Sequence, residues 1–571
     1  MKIAPPGDPR PAFLGDYELL KRTLSNLFSP RIVNVFLKEH ILLNPASYID
    51  KMDEIIVQGK VIGDLRYNPE KSEYEIVLNK QGAIFFFALA SYLSGDLEKN
   101  LSFFKHFVIV SKEAGKKISE GYNVLAPGIM HFSTFHSGDL VFVFDEDITL
   151  VGIGVARVSS ERLDFLSKGL VIKNKAKKLF LTFDNAKTMG KDILDNILHK
   201  PLDREIAWDT DTSPLFIEEY DPYKLFPQNI RRRWMLITYA NLTALQKREE
   251  EARAFITHMS RRSLPITVSF SGGKDSIVTF ELVRKTLQQN FIVFFINTGI
   301  EYPETIEYTK KVLRTFEEET NKSFRNGRVI IIDDVELILG KSIAIANVPS
   351  QRFWIGFRTI GPPGMDWRWC CKSNKLAPTR QLLEKLGIAK TVCFVGIRKY
   401  ESLQRASEGR VSENPWTGQL NAYPIYYWNA LDTWLYILWR RLPANPLYGK
   451  GLSRIGCWPC PCSNLADFFV LKEIHPDLSE MLHSELIRIA QEQGIPENMI
   501  NNILKYGSWR WLKPPKKVPG GKIYRPLLLP FHLSQKEDGS ISLEIKRSGE
   551  ELDKLEEFLK SILKALKSRE D

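Results

Sequence analysis

Ser269-Phe270-Ser271-Gly272-Gly273-Lys274-Asp275-Ser276 is the stretch on which the reading of this 571-residue chain turns. Before it, Leu264-Pro265-Ile266-Thr267-Val268 has the composition of a short buried strand; after it, Ile277, Phe280, Leu282 and Val283 recur at helical spacing. The octet therefore sits at a strand-to-helix turn. Paired glycines let backbone N–H groups approach phosphate oxygens without a Cβ in the way, and the helix N-terminus adds partial positive charge. The serine hydroxyls and Lys274 supply further donors, so the turn is expected to hold an anion and the chain to do nucleotide chemistry. The spacing is not that of a Walker A loop, which puts four residues between its first glycine and Gly-Lys-Ser/Thr.

The core Ser-Gly-Gly-x-Asp-Ser resembles the pyrophosphate loop of the adenine-nucleotide α-hydrolases, whose members act at the α-phosphate. Further blocks in the same order, from about Leu264 to Cys460, resemble the sulfonucleotide (APS/PAPS) reductases. These are Asn297-Thr298-Gly299-Ile300-Glu301-Tyr302-Pro303-Glu304-Thr305, then Trp369-Cys370-Cys371-Lys372 with Lys375 and Pro378. Gly396-Ile397-Arg398 with Glu401, Ser402 and Arg405 follows, and Pro443-Ala444-Asn445-Pro446-Leu447-Tyr448 leads to Gly456-Cys457. The resemblance implies an α/β, Rossmann-like domain with a mainly parallel sheet over 261–465. It also implies a nucleotide site of Ser269, Ser271, Gly272, Gly273, Lys274, Asp275, Ser276, Asn297, Thr298, Gly299, Gly396, Arg398 and Arg405. Arg398 and Arg405 offer planar forks for oxyanions, with Lys274 and Lys372 as point charges. Lys274, Asp275 and Arg398 are the candidate catalytic groups, Asp275 positioning the loop or a Mg²⁺ ion. The nucleotide is ATP or APS/PAPS.

All six cysteines, Cys370, Cys371, Cys393, Cys457, Cys460 and Cys462, fall in one third of the chain. Thiolates gathered from two segments of a long chain fit a metal or iron–sulfur site better than a disulfide framework. Four thiolates suit tetrahedral zinc or a [4Fe–4S] cluster, and spacing does not separate the two. In the cluster-containing branch of the reductases a Cys-Cys pair and a distant Cys-x-x-Cys hold [4Fe–4S]; the resemblance implies that role for Cys370, Cys371, Cys457 and Cys460. Cys393 lies in an apolar strand-like run and is expected to be a buried, inert thiol. The reductases also carry a nucleophilic cysteine on a C-terminal tail, and here no cysteine follows Cys462. Cys462 is the candidate replacement, with an alternative ligand or a plain turn residue as the other readings.

The N-terminal half holds a second resemblance. Short strands at Val108–Val110, Val141–Phe144 and Val151–Ala156 are separated by Gly, Asp and Pro signals. With Lys112, Ala114, Gly121, Asn123 to Gly128, Gly138-Asp139 and Lys168-Gly169, the segment is similar to a PUA domain, a small β-barrel module of RNA-modifying enzymes. Lys173, Lys175, Lys177 and Lys178 form one basic run and Arg231-Arg232-Arg233-Trp234 another. Either fits RNA phosphates with a stacked base, or a solvated helix face.

The expected organisation is an α+β region of unknown type over 1–100, the PUA-like barrel over 101–185, and a connector over 186–260 ending in a charged helix. The nucleotide domain at 261–465 and a helical extension over 466–571 complete it, with a Lys/Glu/Leu-rich amphipathic segment at 550–567. A charge of +11, from 79 Lys and Arg against 68 Asp and Glu, favours polyanionic partners, RNA and tRNA in particular. The first seven residues have no apolar core and no apolar run is long enough to span a bilayer, so a soluble, cytoplasmic protein is expected. Two functions follow. One is ATP-dependent RNA modification, in which a base carbonyl is adenylated and sulfur delivered with the help of a sulfur- or electron-donor protein. The other is sulfonucleotide reduction releasing sulfite; a non-catalytic RNA-binding sensor is a third.

Overall fold

A computed structural model describes residues 7–46, 50–198, 212–288, 290–320, 328–511, 531–535 and 541–545. The chain divides into two compact units, one of residues 9–208 and 226–237, the other of 1–8, 209–225 and 238–571.

The first unit contains two sheets. β1 (Arg10–Pro11), β2 (Leu42–Pro45), β3 (Met52–Val57), β4 (Lys60–Asn68) and β5 (Glu73–Leu78) form an antiparallel sheet in sequence order. The helix Lys80–Ser94 packs on β4 and on the helix Phe183–Leu198. This gives a definite architecture to the region in which sequence patterns named none. The second sheet contains β6 (Phe107–Val110), β7 (Val124–Leu125), β8 (Ile129–Phe132), β9 (Leu140–Asp145), β10 (Leu150–Ala156) and β11 (Leu170–Asn174), in the order β7-β11-β10-β9-β6-β8. Its core is Val108, Val110, Val141, Val143, Val151 and Ile172, with Ile118 from the helix Lys112–Glu120. These strands contain the three expected from the apolar runs.

The second unit is built on eight strands: β12 (Ile266–Ser269), β13 (Ile292–Asn297), β14 (Arg328–Ile332), β15 (Val335–Leu339), β16 (Ile343–Asn347), β17 (Thr391–Val395), β18 (Val411–Asn414) and β19 (Gln419–Ala422). Their order is β14-β15-β16-β13-β12-β17-β19-β18. The central five, β16 to β19, are parallel, and the edge strands β14, β15 and β18 pair antiparallel. β12 is flanked by β13 on one side and β17 on the other, so the chain reverses its direction of winding beside β12. Ligands of open α/β sheets bind at the carboxyl ends of strands at such a point. The helix Lys274–Leu287 follows β12 and packs between the helices Leu242–Ser260 and Ala430–Arg440. Glu249 joins them: it takes Lys285 Nζ at 2.7 Å and also pairs with Arg440. Burial would push the Glu249 carboxyl up, but Lys285 and Arg440 outweigh it and hold the group below its ordinary value.

The C-terminal extension contains the helices Leu465–Ile474, Pro476–Glu492 and Glu497–Tyr506. Its described residues also include β20 (Phe531–Gln535) and β21 (Ile541–Ile545), which pair antiparallel. Alternation in Phe-His-Leu-Ser-Gln and Ile-Ser-Leu-Glu-Ile has the period of a strand. The amphipathic segment 550–567 lies outside the described residues. No helix among the described residues is long and apolar enough to cross a membrane.

Candidate active site

The octet forms the turn between β12 and its helix. Gly272 has φ +74°, and a Cβ there would stand 2.9 Å from Thr305 Cγ2 and from Thr309 Oγ1, so the turn closes this tightly only with glycine. Gly273 is the N-cap of the helix and has no side chain to cap it. Ser276 Oγ donates to Gly273 O at 2.8 Å and accepts from Ser271 N at 3.2 Å, while Lys274 N donates to Tyr448 Oη at 2.8 Å. Asn445 Nδ2 reaches Gly272 O (3.3 Å) and Thr305 Oγ1 (3.0 Å). The Pro443–Tyr448 block thus braces the loop from behind.

Three adjacent strand ends bring the predicted residues together. β12 ends at Ser269 and passes into the loop; β13 ends in Asn297, followed by Thr298 and Gly299; β17 is followed by Gly396 and Arg398. A Cβ on Gly396 would meet Asp275 O at 2.4 Å, so the end of β17 lies directly on the first turn of the loop helix. Arg398 is 2% exposed. Its Nε donates to Asp275 Oδ1 at 2.6 Å, and Asp275 Oδ2 takes Lys274 Nζ at 2.7 Å. The far end of the same fork holds both oxygens of Asp8, Nη1 at 2.7 Å and Nη2 at 3.1 Å. Burial works against the Asp275 carboxylate, yet Arg398 and Lys274 prevail and keep it below its ordinary 3.8. Glu401, 3.8 Å from Arg398 Nη2, is pushed up by burial and by Asp275.

Two predicted residues point elsewhere. Arg405, on the short helix Leu403–Ser407, faces Glu408 (3.2 Å) and Glu401 (3.9 Å) and keeps 38% of its side chain exposed. Lys372 Nζ stands 5.0 Å from the Trp416 ring centroid.

The cysteine segments attach to the turn that follows β13. Glu301 and Cys457 form an antiparallel bridge, and Trp458 N donates to Ile300 O at 3.1 Å. Thr298 Oγ1 donates to Glu301 Oε1 at 2.8 Å and lies 3.5 Å from Cys457 Sγ; the Cys457 thiol donates to Glu301 at 3.6 Å. From the other side Asn374 Nδ2 donates to Thr298 O at 3.1 Å. Asn374 lies in a π-helical turn, Lys372–Leu376, between Trp369–Cys371 and the helix Ala377–Lys385. Pro378 has no N–H to give the carbonyl four residues back, which accounts for the widened turn just after the cysteine pair.

All six cysteines are free thiols. Cys393, 1% exposed in β17, is pushed up to about 12 by burial, as an inert core thiol should be. Cys370 and Cys371 are hydrogen-bonded to each other, as are Cys460 and Cys462. Within each pair the hydrogen bond raises one thiol and lowers the other, to about 6 for Cys371 and for Cys462, which also feel Arg368. Cys457 is pushed up by burial and by Glu301. Among the described residues, no group of three or more His, Cys, Asp or Glu stands ready to hold a metal ion. Of the four thiols expected as a cage, Cys370 and Cys371 face each other, Cys457 faces Glu301 and Cys460 faces Cys462. They nonetheless form an all-sulfur donor set from two segments, each within electrostatic reach of another, which in kind suits a soft metal or an iron–sulfur group.

Residues 265–328 and 329–463 match the phosphoadenosine phosphosulfate reductase domain, and residues 106–178 match the PUA domain. The second unit carries a phosphoadenosine phosphosulfate reductase domain. The chain is 30% identical to the uncharacterized protein MJ0066 of Methanocaldococcus jannaschii over 90% of its own length and 91% of that protein's. It is 27% identical to the adenosine 5'-phosphosulfate reductase of Geobacillus kaustophilus over 34% of this chain and 72% of the relative. Among solved structures it is similar to the phosphoadenylyl-sulfate reductase of Candida auris in a phosphate complex, at 15% identity, 38% and 94% coverage and a TM-score of 0.27. The chain thus pairs a reductase-family domain, of a nucleotide-utilising kind, with a PUA domain.

The basic runs divide. Lys173, Lys175, Lys177 and Lys178 are exposed at and just after β11. In the other run, Arg231 Nε donates to Phe226 O at 3.1 Å and Arg233 Nη1 to Glu39 Oε1 at 3.3 Å. Trp234 is 1% exposed and stacks on Phe226, with ring centroids 5.3 Å apart. The base-stacking role read for it is corrected, because its ring is spent on the core. Sequence reasoning missed Asp8, which lies 390 residues from its partner Arg398 and in no pattern. It also passed over Arg368, whose charge acts on both Cys371 and Cys462.

Proposed function

We propose that this protein is an ATP-dependent RNA-modifying enzyme that transfers sulfur to an adenylated base, with tRNA the first class of substrate to test. The observation that carries the reading is the convergence of the Ser271–Ser276 turn, Lys274, Asp275 and buried Arg398 at adjacent strand ends, one of which leads into the turn that holds Cys457. Donors fixed where charge develops stabilise the transition state of attack at a phosphate, and here they are held before substrate arrives. In the first step a base carbonyl oxygen attacks the α-phosphorus of ATP, the bond to the bridging oxygen breaks, and pyrophosphate leaves. In the second, sulfur at the sulfide level adds to the activated carbon, and AMP departs with the former carbonyl oxygen. No net redox change is needed. Lys274 and Arg398 would bear the phosphate charge together with Mg²⁺, and Asp275 would keep both side chains aimed.

Cys370, Cys371, Cys457 and Cys460 are the residues that would hold a [4Fe–4S] cluster, or zinc in the alternative. A cluster there would supply sulfur- or electron-carrying chemistry beside the nucleotide. The PUA domain and the exposed lysines at and after β11 support RNA as the macromolecular partner. Residues 463–571 hold no cysteine to act as a tail nucleophile, which favours modification.

The second reading, sulfonucleotide reduction, is favoured by one observation: Cys462 is a partly exposed thiol beside Arg368 and Arg454, able to attack an anionic sulfur group. The two are separated with anaerobically purified protein. Pyrophosphate release from ATP that depends on added RNA supports modification; sulfite release from APS or PAPS without RNA supports reduction and overturns it.

A further inference from the structure

Arg398 presents its two terminal nitrogens to the carboxylate of Asp8 in the side-by-side geometry a guanidinium uses for a phosphate or sulfate group. Asp8 Oδ1 also accepts from Ala430 N at 2.6 Å. That amide is the first of the 11-residue helix Ala430–Arg440, whose N-cap Asn429 is already engaged with Asp432. Asp8 thus lies in an anion site made of a buried guanidinium fork and the first amide of a helix, which the Asn429–Asp432 capping box leaves to it, adjoining the phosphate loop through Asp275. Its own segment, Gly7–Pro9, is neither helix nor strand.

The charges around Arg398 make this consequential. Arg398 and Lys274 are faced by Asp8, Asp275 and Glu401, the last also shared with Arg405, so the cations meant for a polyanionic nucleotide are already matched by carboxylates. Asp275 is fixed by its position on the loop helix. Asp8 is the carboxylate whose departure frees both the fork and the amide together.

We propose that Arg398 and the Ala430 amide form an oxyanion subsite for a phosphate or sulfate group of the nucleotide, and that Asp8 is an internal occupant which this group must displace. The inference rests on the anion-binding reading of the loop, but not on the reaction that follows. The N-terminal segment then acts as a competitive gate that lowers affinity for small anions and reserves the site for a ligand that grips the loop as well.

The test measures dissociation constants for inorganic pyrophosphate, inorganic sulfate and ATP by calorimetry with the full chain, Asp8→Asn and Asp8→Ala. Both variants are expected to bind pyrophosphate and ATP at least about tenfold more tightly, and the sulfate arm tells whether the subsite prefers one oxyanion. In the wild type, saturating pyrophosphate is expected to speed cleavage of the Gly7–Asp8 bond by a protease specific for the amide side of aspartate. That arm decides the matter if the variants fail to fold. Unchanged or weaker binding in both folded variants overturns the proposal, as does cleavage that pyrophosphate leaves alone or slows, or failure of every form to bind any of the anions. Tighter binding by the variants without RNA-dependent pyrophosphate release would sink the proposed reaction and leave the gate standing. Release with no effect of Asp8 would do the reverse.

Discussion

Gly396→Ala tests whether the catalytic geometry depends on the end of β17 lying against the loop helix. The added Cβ would stand 2.4 Å from Asp275 O, 2.5 Å from Asp275 C and 2.8 Å from Ser276 N. All three are backbone atoms of the first helical turn, so no side chain can swing aside. Since such contacts essentially do not occur below 3.0 Å, the turn must retreat by about 0.6 Å, at an overpacking cost of about 1–3 kcal/mol. For a unit of this size that is a fall in Tm of about 1–2 °C per kcal/mol. The loss in function should exceed the loss in stability, because the retreat drags Asp275 away from Arg398 and misaligns Lys274; displacements near 1 Å cost about 10²-fold in rate. The assay is thermal unfolding together with RNA-dependent pyrophosphate release. Gly273→Ala is the control, since a Cβ there makes only ordinary contacts, with Tyr448 Oη at 3.5 Å and Ser271 Oγ at 3.7 Å. It should keep the Tm within about 1 °C and lose affinity only through crowding of the ligand. A Gly396→Ala protein with wild-type turnover would refute the assignment of Asp275 and Arg398 as a working pair.

Glu249→Gln removes the buried carboxylate shared by Lys285 and Arg440 and should cost about 3 kcal/mol in chemical denaturation, much of it from the cations left unpaired. Because the folded carboxyl sits below its ordinary 4.5, its contribution is present above that value and lost as pH falls through the depressed one; the wild-type and variant stabilities should converge on acidification. Cys370→Ser should lower the iron or zinc bound per chain after anaerobic purification, as measured by metal analysis, whereas Cys393→Ala should leave it unchanged. Retention of full activity by Cys370→Ala would strip any bound metal of a functional role. Replacing Lys173, Lys177 and Lys178 by Ala should weaken RNA binding and reduce its log–log salt slope by about 1 per lysine. Arg233→Ala should instead lower stability and leave that slope intact.

The nucleotide turn was legible because its determinants are local: two glycines, a short apolar strand before them and a helical pattern after them. The blocks at Asn297, Gly396 and Cys457 came from family resemblance; the parallel sheet brings the first two to strand ends beside the loop, and Cys457 is bridged to Glu301 just after β13. Long-range pairing was not legible. A single aspartate at position 8 carries no periodicity, and its partner lies 390 residues away. Trp234, preceded by three arginines, has the look of a surface ring, yet its stacking on Phe226 is decided by tertiary contacts invisible to a window of sequence. The first sheet was missed for a related reason. Arg10, Asp16 and Asp53 form a buried ion network whose members look like solvated residues until the partners are known. Pro378 carried a readable signal, a missing N–H about two turns after the cysteine pair, whose meaning becomes plain once the π turn is seen.

Thr298 ties the strand beside the phosphate loop to both cysteine segments. It is the residue directly after β13, the strand that pairs with β12 and so stands beside the phosphate loop. Its carbonyl receives Asn374, three residues beyond the cysteine pair, and its hydroxyl binds Glu301, the residue bridged to Cys457. Both thiol-bearing segments are therefore tied to one short turn whose backbone follows directly from the sheet. A displacement of that turn by a bound nucleotide is transmitted to both segments, since packed backbone has little freedom to absorb it locally. Conversely, drawing four thiols around a metal would break the Cys457–Glu301 contact and leave a buried carboxyl already raised by burial, with Thr298 still bound to it. Occupancy at either place thus bears on the other through Thr298 and Glu301, with no need for movement between the chain's two units.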